Sequence, residues 1–142
     1  MPSSSRLAPR ASRLIRSARV AHLATADESG QPHVIPICFV FDGKHFFSPI
    51  DEKPKRTIKL KRLKNIRENP QVALVIDHYE EDWRKLGYVL IFGQARILQR
   101  GEKHRQAVKL LRQKYPQYRP MAIDARPMIV ITPRRIANWR TR

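Results

Sequence analysis

The sequence predicts an α+β fold, an antiparallel barrel of six strands with helices at its ends and between its strands. Runs rich in Val, Ile and Phe recur at 20–26, 33–41, 44–49, 72–77, 87–98 and 128–132. Turn signals link the first of them directly, Asp27-Glu28-Ser29-Gly30 and then Asp42-Gly43. Hairpin connections of that kind argue against alternating βαβ units.

In chain order, residues 2–5 (PSSS) are expected to be disordered. From Arg6 the apolar residues Leu7, Ala11, Leu14, Ile15 and Ala18 recur at three- and four-residue intervals, which predicts an amphipathic helix with Pro9 in its first turn. Three strands follow, and a short helix is expected at 58–68. The run 72–77 (VALVID) is apolar on both faces and reads as a central strand. It is separated from 87–98 by the polar, aromatic stretch His78-Tyr79-Glu80-Glu81-Asp82-Trp83-Arg84. Residues 102–115 place Ala107, Val108, Leu110 and Leu111 on one side, as in a surface helix, and Pro116 and Pro120 close it. The last clear strand is 128–132, with 136–140 as an extension beyond Pro133.

At 142 residues the chain suits one domain with its own core. A net charge of +17 points to an anionic partner: nucleic acid, membrane surface or a phosphorylated small molecule. One cysteine, Cys38, excludes an internal disulfide framework and suggests a cytoplasmic setting. No apolar run approaches the roughly 20 residues of a membrane span, and the basic start lacks a secretory apolar core.

Three stretches hold 16 of the 29 cations: five Arg between residues 6 and 19, seven Lys or Arg between 53 and 64, and four Arg from 134 onward. The middle cluster is the informative one, because it joins a strand end to the start of a helix. Free backbone N–H groups and side-chain charge act together there on an anion. Lys53, Lys55 and Arg56 sit in a loop stiffened by Pro49 and Pro54 and read as phosphate ligands. Lys59, Lys61 and Lys64 read equally as a solvated helix face. Asp51 and Glu52 temper the local field and argue against a simple nucleic-acid arm.

The five histidines form no zinc spacing. His22 and His33 are candidates to face one cleft across a hairpin, although strand histidines more often simply pack or face solvent. Cys38, in an apolar run, reads as a small buried hydrophobe. The turns of serine hydrolases, P-loop enzymes and Rossmann proteins are missing. Trp83, Tyr79 and Trp139 fall outside the core strands and suit a planar ligand or a subunit interface.

Taken in order, 21–26 (AHLATA), 30–37 (GQPHVIPI), 46–48 (FFS), 62–66 (RLKNI) ahead of Asn69-Pro70, and 92–95 (FGQA) resemble the pyridoxamine 5'-phosphate oxidase-like family of split β-barrels that bind flavin or deazaflavin. The segments 51–56 (DEKPKR) and 77–83 (DHYEEDW) resemble its branch that uses coenzyme F420. Flavin-binding members hold the cofactor phosphate with a Ser-Arg-Lys element seven residues before Asn-Pro. Here Lys61-Arg62 takes the Arg-Lys place and Leu60 replaces the serine. That loss, with the gain of Lys53, Lys55 and Arg56, suits the more heavily charged tail of F420.

The resemblance further implies that His33, Pro36, Ile37 and Ser48 line the ring. It implies that Trp139 closes over the cofactor from a partner subunit, in a homodimer with its cofactor sites at the interface. The expected function is hydride transfer between coenzyme F420 and a small organic substrate, the cofactor carrying the hydride, so that no acid–base pair is required. FMN is the alternative cofactor. The competing readings are a cofactor-binding protein without turnover and a nucleic-acid-binding protein on the same barrel.

Overall fold

The computed structural model describes residues 7–51 and 60–140. The expectations for 2–5, Lys53, Lys55, Arg56, Lys59 and the first residues of the 58–68 helix lie outside the described residues.

Helix α1 (Pro9–Ser17) begins on a proline, which is tolerated there because a first-turn N–H has no intrahelical partner. It buries Ala11 and Ile15 and turns Arg10, Arg13 and Arg16 outward. Strands β1 (Ala21–Ala26) and β2 (Pro32–Ile37) form the first hairpin. In its turn the Asp27 carboxylate accepts from Ser29 N and Gln31 N, both at 2.9 Å, and Gly30 takes φ +87°. The second hairpin joins β3 (Val40–Phe41) to β4 (Phe46–Pro49) through Asp42 and Gly43 (φ +100°), the Asp42 carboxylate accepting from the N–H groups of Lys44 and His45. Helix α2 (Lys61–Glu68), strand β5 (Gln71–His78), strand β6 (Gly87–Leu98), helix α3 (Glu102–Lys114) and strand β7 (Met128–Arg140) complete the chain.

The strands form one seven-stranded sheet in the order β2-β1-β5-β6-β7-β4-β3, with every neighbouring pair antiparallel. Its two edge strands, β2 and β3, are joined by Cys38 and Phe39 alone, so the sheet must curl until its edges meet. The barrel is therefore split along the line between them. One core, with Leu23, Leu74, Ile76 and Ile91, fills the curl and takes the inner sides of α1 and α2. A second packs α3 through Ala107, Val108 and Leu111 against Phe47 and Val130 on the opposite face.

Two expectations are corrected. The run 33–41 is not one strand: it breaks at Cys38-Phe39, which makes seven strands rather than six. At the break the Phe39 N–H donates to Tyr115 Oη (3.2 Å), and the Phe39 carbonyl accepts from Tyr115 Oη and Lys114 Nζ, each at 3.1 Å. Side chains from the end of α3 thus satisfy backbone groups that a neighbouring strand would otherwise take. Conversely, Pro133 does not interrupt β7. A bulge absorbs it: Phe92 pairs with Arg135 and Gly93 with Pro133, leaving Arg134 as the extra residue. Gly93 is required there, since a Cβ would lie 2.5 Å from the Thr132 carbonyl oxygen.

A third correction concerns His22 and His33. Register pairs His22 with Pro36 and His33 with Thr25. Directly opposed residues share a face, and 22 and 25 differ by an odd number, so the two histidines lie on opposite faces. Among the described residues no helix is long and apolar enough to cross a membrane.

Candidate functional site

The seam of the split barrel holds a cavity of about 350 Å³. Ile35, Pro36, Ile37 and Cys38 of the β2 edge form one wall, Ser48 and Pro49 of β4 another, and Asp51, Arg62, Val20 and Tyr118 close it. A sheet edge offers a row of backbone donors and acceptors with no strand beyond it, which suits the hydrogen-bonding rim of a flat heterocycle. The apolar side chains beside it suit the ring face.

Arg62 is the cation of the described lining. It is the second residue of α2, whose N-cap, Leu60, has no side chain able to bond the first N–H groups. The intrahelical bonds begin only with Leu63 N and Lys64 N, both donating to the Leu60 carbonyl. Among the described residues the start of α2 therefore carries N–H donors without a side-chain cap, and a positive dipole end. The Arg62 Nε is buried without a hydrogen-bond partner among the described residues, although a buried donor is normally paired. A guanidinium facing a cavity with an unmet donor beside an uncapped helix start is the arrangement a phosphate or carboxylate completes. The residues present thus fit a flat ring bearing an anionic tail.

The opposite wall is held rigidly. Tyr118 Oη donates to Asp51 Oδ2 at 3.0 Å and Arg126 donates to the Asp51 carbonyl at 2.6 Å. Burial pushes the Tyr118 hydroxyl well above the ordinary tyrosine range, with the Cys38 and Asp51 side chains adding to it. It stays protonated as a fixed donor to Asp51. His104, buried in α3, bonds the Arg126 carbonyl through Nε2 at 2.7 Å and so anchors that segment.

Of the residues singled out in the sequence, Pro36, Ile37, Ser48 and Arg62 meet at this cavity. Lys53, Lys55 and Arg56 lie outside the described residues. Lys61 points instead to the first turn, 3.8 Å from the Asp27 carboxylate. His33 is not among the lining residues; it shares the inward side of β2, and its Nδ1 is buried without a hydrogen-bond partner among the described residues. Trp139 stands near the far end of β7, stacked on Tyr88 with ring centroids 5.8 Å apart. Ten residues of strand separate it from Ile129, the partner of Ser48, about 33 Å of extended chain. Within one chain Trp139 does not reach the cavity. Val20, Asp51 and Tyr118 were missed: Asp51 and Tyr118 are 67 residues apart in sequence, and no local pattern announces their contact.

A family model described as pyridoxamine 5'-phosphate oxidase matches residues 7–140. A protein of Streptomyces rimosus subsp. rimosus named 5a,11a-dehydrotetracycline/5a,11a-dehydrooxytetracycline reductase is 29% identical over 126 residues, 88% of this chain and 77% of that one. Among solved structures, HutZ of Vibrio cholerae, described as a heme storage protein, superposes with a TM-score of 0.74 at 18% identity and covers 94% of each chain. An F420 reductase superposes with a TM-score of 0.68 at 21% identity, over 92% of this chain and 98% of that one. Likeness at such identities speaks for the fold, whereas the family match runs through all seven strands. The chain belongs to the pyridoxamine 5'-phosphate oxidase family of split-barrel, oxidoreductase-type proteins.

Proposed function

We propose that this protein is an oxidoreductase that uses coenzyme F420 to transfer hydride to or from a small organic substrate. The observation that carries the reading is the unpartnered Arg62 Nε at the uncapped start of α2, facing the seam cavity. Lys53, Lys55, Arg56, Lys61 and Arg62 form a cationic series in sequence, suited to a tail with more than one negative charge. Pro36, Ile37 and Ser48 line the ring, and His33 backs the same strand. The cofactor, when bound, supplies the hydride; the chain orients it, neutralises its tail and keeps water from the ring. A relative named as a reductase and a structural neighbour named as an F420 reductase support this reading.

A homodimer belongs to the same proposal. In it a second copy lies along the exposed part of the β2 edge and brings its own Trp139 to the cavity. FMN is the second reading, favoured by the flavin-binding character of the family and by the single described arginine at the cavity.

The test is a fluorescence titration of cofactor-free protein with F420 and with FMN, repeated for Arg62→Ala and Lys55→Ala. Tighter F420 binding that falls at least tenfold in both variants is expected, the loss of a charge-assisted contact in each case. Preference for FMN, with Lys55→Ala silent, would move the protein to the flavin reading. Binding of neither, with saturable binding of heme, would overturn both.

A further inference from the structure

A second cavity, of about 490 Å³, adjoins the first and shares Val20, Cys38, Asp51 and Tyr118 with it. The two cavities are therefore neighbours that share one wall. The walls of the second are largely apolar: Tyr115, Pro116, and, at the lip, Val20 and Met121, which are 45% and 40% exposed. Exposed apolar side chains beside an apolar hollow call for an occupant that covers them.

Its charged groups are few. The Arg19 guanidinium lies 5.4 Å from the Tyr115 ring centroid and donates to the Lys114 carbonyl. The Lys114 ammonium lies 5.3 Å from the same ring and 3.9 Å from that of Phe39. Neither cation has a carboxylate partner among the described residues. Among the described residues the wall holds one acid, Asp51, which accepts from Tyr118 and keeps its negative charge. Burial, and then the charge of Arg19, hold the Lys114 ammonium down at about 8. Arg19 thus lines the hollow with Lys114 close by on the Tyr115 ring, and an anionic oxygen would give Arg19 a charged partner.

We propose that this second cavity is the substrate chamber, and that Arg19 selects a flat, mostly apolar substrate carrying one anionic oxygen, such as an enolate, phenolate or carboxylate. The chamber's catalytic role rests on the proposed function of the seam cavity; its anion selectivity does not.

Two probes with the same ring system separate these points: 8-anilinonaphthalene-1-sulfonate, which is anionic, and N-phenyl-1-naphthylamine, which is neutral. Both are titrated by fluorescence into the full chain at physiological ionic strength, where long-range attraction to a basic surface is screened. The anionic probe is expected to bind about tenfold more tightly, as for a hydrogen bond to a charged group. Arg19→Gln should remove that preference while leaving the neutral probe unchanged, and Arg19→Lys should keep most of it. Arg67→Gln, on the exposed side of α2, should change nothing, and Met121→Trp should weaken both probes by filling the lip. Urea midpoints identify any variant that has lost its fold. An anion preference that survives Arg19→Gln, or falls equally in Arg67→Gln, overturns the proposal. A preference that behaves as expected in a protein that binds neither F420 nor FMN would retain the anion selectivity and overturn the catalytic role.

Discussion

Replacing Lys114 by Met should flatten a pH dependence of stability that the wild type shows above neutrality. The Lys114 ammonium is half-buried against Phe39 and Tyr115 beside Arg19, which lowers it from 10.5 to about 8. In the unfolded chain it returns to its ordinary value. Between pH 8 and 10 the unfolded state therefore binds more protons than the native state, and stability rises with pH. At about 1.36 kcal/mol per unit of pKa difference the gain from pH 7.5 to 9.5 has an upper bound of roughly 2 kcal/mol, and solvent screening of the half-exposed ammonium brings the expected gain to about 1 kcal/mol. Staying below pH 10 avoids Tyr115, whose hydroxyl is pushed up to about 12 by burial and works in the opposite sense. Met keeps the packing over Phe39, and the Phe39 carbonyl keeps the Tyr115 hydroxyl as donor. Urea midpoints of the two proteins at four pH values measure the effect. Parallel profiles would refute the reasoning, because they would mean that Lys114 is as well solvated in the native state as in the unfolded chain.

Gly93→Ala should destabilise by about 1–3 kcal/mol, since its Cβ cannot fit 2.5 Å from the Thr132 carbonyl oxygen without moving β7 at the bulge; urea unfolding reads this directly. Thr25→Val removes the acceptor for Asn65 Nδ2 (3.0 Å) and leaves a fully buried amide unpaired, so a loss of about 1–3 kcal/mol is expected by the same assay, with cofactor affinity unchanged. Arg62→Ala gives the reverse pattern: its Nε has no hydrogen-bond partner among the described residues, so the thermal midpoint should hold while cofactor affinity falls. Tyr118→Phe should cost about 1–2 kcal/mol by unbinding the Asp51 carboxylate, and should weaken both cavities because the two share this wall.

The two hairpins were legible because their turns are local chemistry. Asp27 and Asp42 each fold back onto N–H groups within four residues, and Gly30 and Gly43 supply the positive φ. Helices α1 and α3 were legible through the spacing of Ala11 and Ile15 and of Ala107, Val108 and Leu111. The break at Cys38-Phe39 was not, because its backbone partners are Lys114 and Tyr115, some 75 residues downstream. Nor was the continuity of β7 through Pro133, which depends on Gly93 of another strand accepting a bulge.

By itself the sequence determined the architecture, because hydrophobic period and turn residues act over a few positions. It also set cations beside the start of α2, because Lys61 and Arg62 follow Leu60 directly in the chain. Only the tertiary structure decided which residues share a cavity. Curling the sheet brings β2, β4, the α2 start and Tyr118 together, and it sets Arg19 and Lys114 at a second hollow beside them. It also placed Trp139 at the opposite end of its strand and divided His22 from His33. Contacts made across the closure of a sheet are fixed by register and curvature, and no short stretch of sequence encodes either one alone.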